Sequence, residues 1–139
     1  MINKYLNYIQ ETTNHEYNLK PFDKSYYKSL PDINNGMLYD PDKGQYFILC
    51  KGNIKLGIIG VIILSRNFWQ IYIDKKYRGL GLVEIGSDLL VEKLNLKELV
   101  AIIEPENQIS LKAHKNAGFI ESDKQFGRTG TISLVKKYK

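Results

Sequence analysis

Ile71-Tyr72-Ile73-Asp74-Lys75-Lys76-Tyr77-Arg78-Gly79-Leu80-Gly81 runs from an apolar strand into a glycine-rich turn. Some thirty residues further on, Glu106-Asn107-Gln108-Ile109-Ser110 opens a helix that leads to Ala117-Gly118-Phe119. Gly79 and Gly81 lack Cβ atoms, so a ligand can approach the backbone where the strand ends and the next helix begins. The first N–H groups of that helix have no intrahelical acceptor, and with the helix dipole they form an anion site. Arg78 adds charge at its edge. A plain strand-to-helix turn also needs glycines, so the turn alone fits either use. It is not a Walker loop, because no Gly-Lys-Ser/Thr follows. It is not a dinucleotide fingerprint, because the third glycine is missing and an antiparallel meander precedes it. The order and spacing of the two segments together point to a site for a pyrophosphate-bearing ligand.

Upstream of the turn, residues 45–50 and 56–65 are β-rich runs joined by Lys51-Gly52-Asn53, a hairpin pattern, and residues 68–73 form a third strand. Downstream, residues 82–94 put Leu82, Ile85, Leu89 and Leu90 on one helical face. Residues 99–103 are wholly apolar, as in a strand covered on both faces. Residues 107–116 read as a short helix ended by Ala117 and Gly118, and 118–125 and 131–135 as the last strands. Before the meander, residues 16–22 form a strand interrupted at Pro21, hence an edge. Asp23 caps a helix reaching Leu30, which Pro31 closes, and 32–44 is a loop. Residues 3–12 carry Tyr5, Leu6, Tyr8 and Ile9 at a helical period. The order predicts a mixed α/β sheet with a strand–helix–strand crossover between Ile71 and Ile103.

The 139 residues fit one domain, 1–139, and an apolar fraction of 43% supports a real core. The longest apolar run, 56–64, is too short to span a bilayer, and the first residues lack the features of a signal peptide. A single cysteine, Cys50, excludes an intrachain disulfide and reads as a small apolar strand residue. These features lead us to expect a reducing, cytoplasmic setting. A net charge of +5 suits an anionic ligand but is too small to argue for nucleic acid. No His, Cys and carboxylate cluster has metal-ligand spacing, so no metal is expected. Lys136-Lys137-Tyr138-Lys139 reads as a solvated tail.

Arg78-Gly79-Leu80-Gly81-Leu82-Val83 resembles the Arg/Gln-x-x-Gly-x-Gly/Ala hallmark of the GNAT family, the GCN5-related N-acetyltransferases. Asn107, Ser110, Gly118 and Phe119 match that family's downstream motif in spacing, and Tyr17 to Asp23 looks like the usual start of its fold. The resemblance covers about 120 residues and makes 1–15 an N-terminal helical extension. It implies a mixed, mostly antiparallel central sheet with helices on both faces, the GNAT-like acyl-CoA N-acyltransferase fold. It also implies acetyl-CoA as co-substrate, held by Ile71, Tyr72, Ile73, Arg78, Gly79, Leu80, Gly81, Leu82, Val83, Glu84, Asn107 and His114. The sequence departs from the hallmark at Val83, where the family prefers Gly or Ala. An alternative register aligns Ile85-Gly86-Ser87-Asp88-Leu89-Leu90 after a three-residue insertion. The ungapped one is preferred, because the insertion would leave the helix very short before Leu99.

The implied reaction is direct attack by a neutral amine on the acetyl thioester in a ternary complex, with a strand N–H polarising the carbonyl. In many members a tyrosine seven residues after the motif's asparagine protonates the leaving thiolate. Here that position is His114, whose ordinary pKa of about 6.5 suits proton transfer. Histidine there is similar to the phosphinothricin-type amino-acid acetyltransferases. His114 alternatively only packs against the cofactor. Asn107 either caps its helix or bonds to pantetheine, or does both. Residues 68–73 lack a glutamate, so Glu104 is the nearest candidate base; its other reading is a turn carboxylate beside Pro105. His15 has no evident partner. Trp69, Tyr72, Tyr26 and Tyr27 either line an acceptor pocket or belong to the core. The expectation is an N-acetyltransferase acting on a primary amine of a small molecule or protein, with no membrane or nucleic-acid partner, as monomer or homodimer. A non-catalytic CoA-binding or partner-binding domain is the alternative.

Overall fold

The computed structural model describes residues 16–31, 33 and 40–139. The helix expected over 3–12, His15 and most of the 32–44 loop lie outside the described residues. The strands are β1 (Tyr17–Pro21), β2 (Gln45–Lys51), β3 (Ile54–Ile63), β4 (Asn67–Ile73), β5 (Glu98–Ile103), β6 (Ile120–Glu121) and β7 (Ile132–Lys137). The helices are α1 (Lys24–Ser29), α2 (Leu82–Leu94) and α3 (Gln108–Asn116), with 3-10 turns at Pro41–Lys43 and Lys75–Tyr77. The strands form one sheet in the order β1-β2-β3-β4-β5-β7-β6. All neighbours are antiparallel except β4 and β5. This is the mixed sheet expected, and the parallel pair follows from the crossover through α2.

Strand alternation divides the core into two clusters. Leu49, Ile59, Val61, Trp69, Leu99, Ala101 and Leu134 pack with Leu82, Leu90 and Val91 of α2 and Leu111 of α3. Tyr46, Ile48, Cys50, Ile58, Ile62 and Tyr72 pack with Leu30, Ile33 and the aromatic residues Phe22, Tyr26 and Tyr27 around α1. A bulge interrupts the β2–β3 ladder, where Leu49 pairs with Gly57 and Cys50 with Lys55. The extra residue, Leu56, breaks the alternation and joins the cluster under α2.

Three expectations need correction. Lys136 and Lys137 are the end of β7 and not a solvated tail, with Lys136 Nζ donating to the Ala117 carbonyl at 2.6 Å. The buried face of α2 is Leu82, Gly86, Ser87, Leu90 and Val91, centred beyond the expected one, with Ile85 and Leu89 half-buried against the same cluster. Gly86 belongs to that face. A Cβ there would stand 3.2 Å from Ile59 Cδ1 and 3.3 Å from Ile71 Cδ1, so its absence lets the helix lie close on the sheet. Ser87 is fully buried, with its hydroxyl donating to the Glu84 carbonyl at 3.0 Å. The strand expected over 118–125 is only Ile120–Glu121. Gly118 takes a φ of 97°, and the chain after Glu121 folds over so that the Phe126 N–H donates to Ser133 Oγ at 3.0 Å.

Candidate functional site

β4 and β5 are parallel but share only one register pair, Phe68 with Val100. At that end side chains reinforce the junction: Arg66 is ion-paired to Glu98, and Asn67 Nδ2 donates to the Glu98 carbonyl at 3.0 Å. Beyond it the strands part. The Asp74 N–H donates to the Leu56 carbonyl at 2.9 Å, which sets the phase of the β3–β4 ladder. Alternate residues of an antiparallel strand turn their backbone groups to the same neighbour. Tyr72 therefore bonds toward β3, whereas Ile71 and Ile73 present N–H and C=O groups to the gap.

That gap opens into a cavity of about 470 Å³, in the size range of ligand sites. Its walls come from β4 (Ile71, Tyr72, Ile73), from the turn and first turn of α2 (Tyr77, Arg78, Gly79, Gly81, Leu82, Val83, Glu84), and from Asn107 with α3. Of the cofactor residues expected, the structure brings all but Leu80 to this cavity; Leu80 projects away, 58% exposed. Tyr77, Ile109, Ser110, Ala113, Asn116 and Ala117 line it too, although sequence reading assigned none of them to the cofactor and named Ser110 only as a motif position. Helical spacing around His114 at minus four and plus three marks Ser110 and Ala117 as its neighbours on that face. Ile109 stands 84% exposed on the rim, an apolar surface for a ligand to cover.

The glycine turn expected to hold an anion is built from backbone. Gly79 and Gly81 have φ of 82° and 72°, a region other residues rarely enter, and open space lies where each Cβ would be. Gly81 is the N-cap of α2 and offers no side-chain bond to it, so the N–H groups of Leu82, Val83 and Glu84 lack that partner. The helix begins directly at Leu82, and Val83 packs partly on the core. Glu84 places a carboxylate in the first turn, where it suits the dipole but competes with a bound anion. Arg78 is folded back: its Nε donates to the Ile73 carbonyl at 2.9 Å, and its guanidinium lies 5.4 Å from the Tyr72 ring centre.

On the facing wall, Asn107 caps α3, its Oδ1 accepting from the Ser110 N–H at 3.2 Å. The amide nitrogen points to no partner among the described residues, so capping and ligand contact are compatible. His114 is buried, 4% exposed. Its Nδ1 lies 2.8 Å from the Ser110 carbonyl, which only accepts, so Nδ1 carries the proton. The imidazole stands edge-on to Trp69 and Phe119, at 5.5 and 5.0 Å, and those two rings stack on each other. Burial pulls the His114 pKa below its ordinary value, and the Ser110 bond opposes this only in part.

Glu104 is outside the cavity lining and is ion-paired to Arg128. Trp69 belongs to the core; Tyr26 and Tyr27 pack in the cluster around α1. Tyr72 does line the cavity, with its hydroxyl donating to the Pro31 carbonyl. The Tyr26 hydroxyl is buried without a hydrogen-bond partner among the described residues, and burial, with the Asp74 carboxylate adding to it, pushes that phenol up to about 12. Among the described residues no three His, Cys, Asp or Glu side chains stand together as metal ligands, and no helix is long and apolar enough to cross a membrane.

Trp69 is the only tryptophan of the chain, so its emission reports on the adjacent imidazole, whose protonated form quenches it. The fluorescence titration is expected to show a midpoint below about 6.5, the value of a free imidazole. Stability follows the same sign. The unfolded chain takes up this proton more readily than the folded one. The contribution of neutral His114 is therefore complete above about pH 6.5 and declines as the pH falls below it. A midpoint at or above the free value would contradict a neutral buried ring.

A parallel strand pair splayed beside a glycine anion turn defines a class of fold, that of the acyl-CoA N-acetyltransferases, and solved structures share it. An acetyltransferase from Agrobacterium tumefaciens is 16% identical, with 86% of this chain and 90% of that one covered at a TM-score of 0.66. Campylobacter jejuni N-acetyltransferase PseH in complex with acetyl coenzyme A is 15% identical, with 88% and 99% covered at 0.66. An N152L mutant of spermidine N-acetyltransferase SpeG from Vibrio cholerae is 15% identical, with 88% and 94% covered at 0.67. The chain has the GNAT fold. No family model and no curated protein matches the sequence.

Proposed function

We propose that the chain is an acetyl-CoA-dependent N-acetyltransferase, moving the acetyl group to a primary amine of a small molecule or protein by direct attack in a ternary complex. The splayed β4 edge carries this reading. Amide groups of Ile71 and Ile73 that turn away from β3, the Ile73 carbonyl being covered by Arg78, lie between the glycine turn and the wall that bears Asn107 and His114, within one cavity. Phosphate, extended amide chain and thioester call for those three features in that order.

In this reading the N–H groups after Gly81, with Arg78 swung away from Ile73, hold the pyrophosphate. Ile71 and Ile73 pair with the amide chain as a neighbouring strand would, and Asn107 adds a donor. An N–H of β4 polarises the thioester carbonyl. His114 handles the proton. Glu104 serves as base only if it leaves Arg128. The buried thiol of Cys50 fits a reducing, cytoplasmic setting. A CoA-binding module without turnover is the second reading, favoured by the lack of a glutamate on β4 and by the pairing of Glu104 with Arg128.

Millimolar acetyl-CoA is expected to raise the melting temperature, since a ligand at one hundred times its Kd adds about 2.7 kcal/mol. No shift at that concentration would sink both readings. A shift without thiol release across a broad panel of primary amines would leave only the second.

A further inference from the structure

We propose that His114 works as a proton acceptor: its Nε2 takes the proton from the attacking amine and then returns it to the departing thiolate. This rests on the acetyl transfer proposed above and specifies what one side chain does in it.

Three observations carry the direction. The Ser110 carbonyl at 2.8 Å ties the proton to Nδ1 and leaves the lone pair on Nε2. Nε2 has no hydrogen-bond partner among the described residues, although the ring lines the cavity. Trp69 and Phe119 hold the imidazole edge-on, which fixes the direction in which that lone pair points. A resting proton donor at this place would have to be an imidazolium, and an unpaired cation is costly to bury. Burial lowers the His114 pKa, in agreement.

The other titratable and charged groups around the ring do not substitute. From β4 comes Tyr72, a phenol already donating to the Pro31 carbonyl. From the α2 side come Tyr77, Arg78 and Glu84, the last at the anion turn. On α3 itself Lys112 and Lys115 are cations, and Lys115 faces Glu121 at 3.6 Å. Phe119, after α3, contributes only an aromatic edge.

The step balances without a further reagent. The amine nitrogen forms its bond to the acetyl carbon and gives one proton to Nε2. The carbon–sulfur bond breaks with its electron pair on sulfur. Nε2 passes the proton to that sulfur, and the imidazole ends neutral.

Nitrogen NMR of histidine-labelled protein tests the resting state without any variant, because the only other histidine is His15. A neutral ring protonated at Nδ1 is expected at neutral pH. An Nε2–H tautomer or an imidazolium there overturns the proposal. Two variants then separate acceptor from donor. His114→Tyr supplies an O–H donor but no basic lone pair, and His114→Gln keeps the polarity with no acid–base function. With acetyl-CoA and a weakly basic primary amine that stays neutral across the titration, both are expected to lose about 10²- to 10⁴-fold in turnover. Both should still show an acetyl-CoA-induced rise in melting temperature, because the glycine turn and the β4 edge are untouched, so that the loss lies in turnover more than in binding. Tyrosine at the wild-type rate would make the position a donor and overturn the proposal. Should acetyl-CoA fail to shift even the wild type, the acetyl-transfer reading falls and takes this proposal with it, an outcome that the binding measurement distinguishes from failure of the acceptor role.

Discussion

Gly81→Val is expected to weaken acetyl-CoA binding at least 100-fold, about 2.7 kcal/mol, as measured by calorimetric titration. Gly81 sits at a φ of 72°. A β-branched residue there costs on the order of 1–3 kcal/mol, so the turn shifts to a conformation that no longer aims its N–H groups at one point. The space beside Gly81 is open, with nothing within 4 Å of where a Cβ would stand. The damage therefore comes from backbone conformation and not from a clash with the protein. Gly81→Asn is the matched control, because asparagine tolerates the left-handed region, and it is expected to keep the wild-type melting temperature within a few degrees. Valine with unchanged affinity would mean that this turn is not where the anion sits.

Trp69→Ala is expected to cost about 3–5 kcal/mol of stability, which for a chain of this size lowers the melting temperature by roughly 10–20 °C. Its ring is buried between β4 and α3, stacked on Phe119 with 14° between the planes and meeting His114 edge-on. Removing it leaves a void that rigid strand backbone cannot close. It also frees the imidazole from one of its two aromatic neighbours. At a temperature where the variant is still folded, turnover should fall more than acetyl-CoA affinity, because Trp69 supports His114 and does not line the cavity. A loss within 1 kcal/mol in chemical denaturation would show that this cluster is not a keystone of the core.

Local signals carried the fold a long way. Lys51-Gly52-Asn53 marks a hairpin because glycine supplies the positive φ that the turn needs, and Gly52 has a φ of 60°. The apolar run at 99–103 reads as a doubly covered strand, and β5 is one. What stayed hidden depends on contacts distant in sequence. The burial of Gly86 is set by Ile59 and Ile71 across the helix–sheet gap, which a hydrophobicity wheel does not register. Glu104 looked available until Arg128, twenty-four residues on, was brought to it by the turn before β7. Arg78 was expected at the edge of the glycine turn and lines the cavity there, but its rest position on the Ile73 carbonyl and the Tyr72 face could not be read from spacing. The tautomer of His114 depends on one carbonyl a helical turn back, a bond that spacing permits but does not require. The Asn107 to Phe119 segment was the most legible part, because capping, helix length and a closing glycine are all local.

The single rung between Phe68 and Val100 gives the sheet the mechanics of a book with two leaves. β1 to β4 form one leaf and β5 to β7 the other, and Arg66, Asn67 and Glu98 bind the spine. An elongated molecule lying between the pages replaces the missing rungs on one side and touches α3 on the other. It then acts as a rivet as well as a reactant, adding backbone bonds between two leaves that are otherwise joined by the core packed under α2.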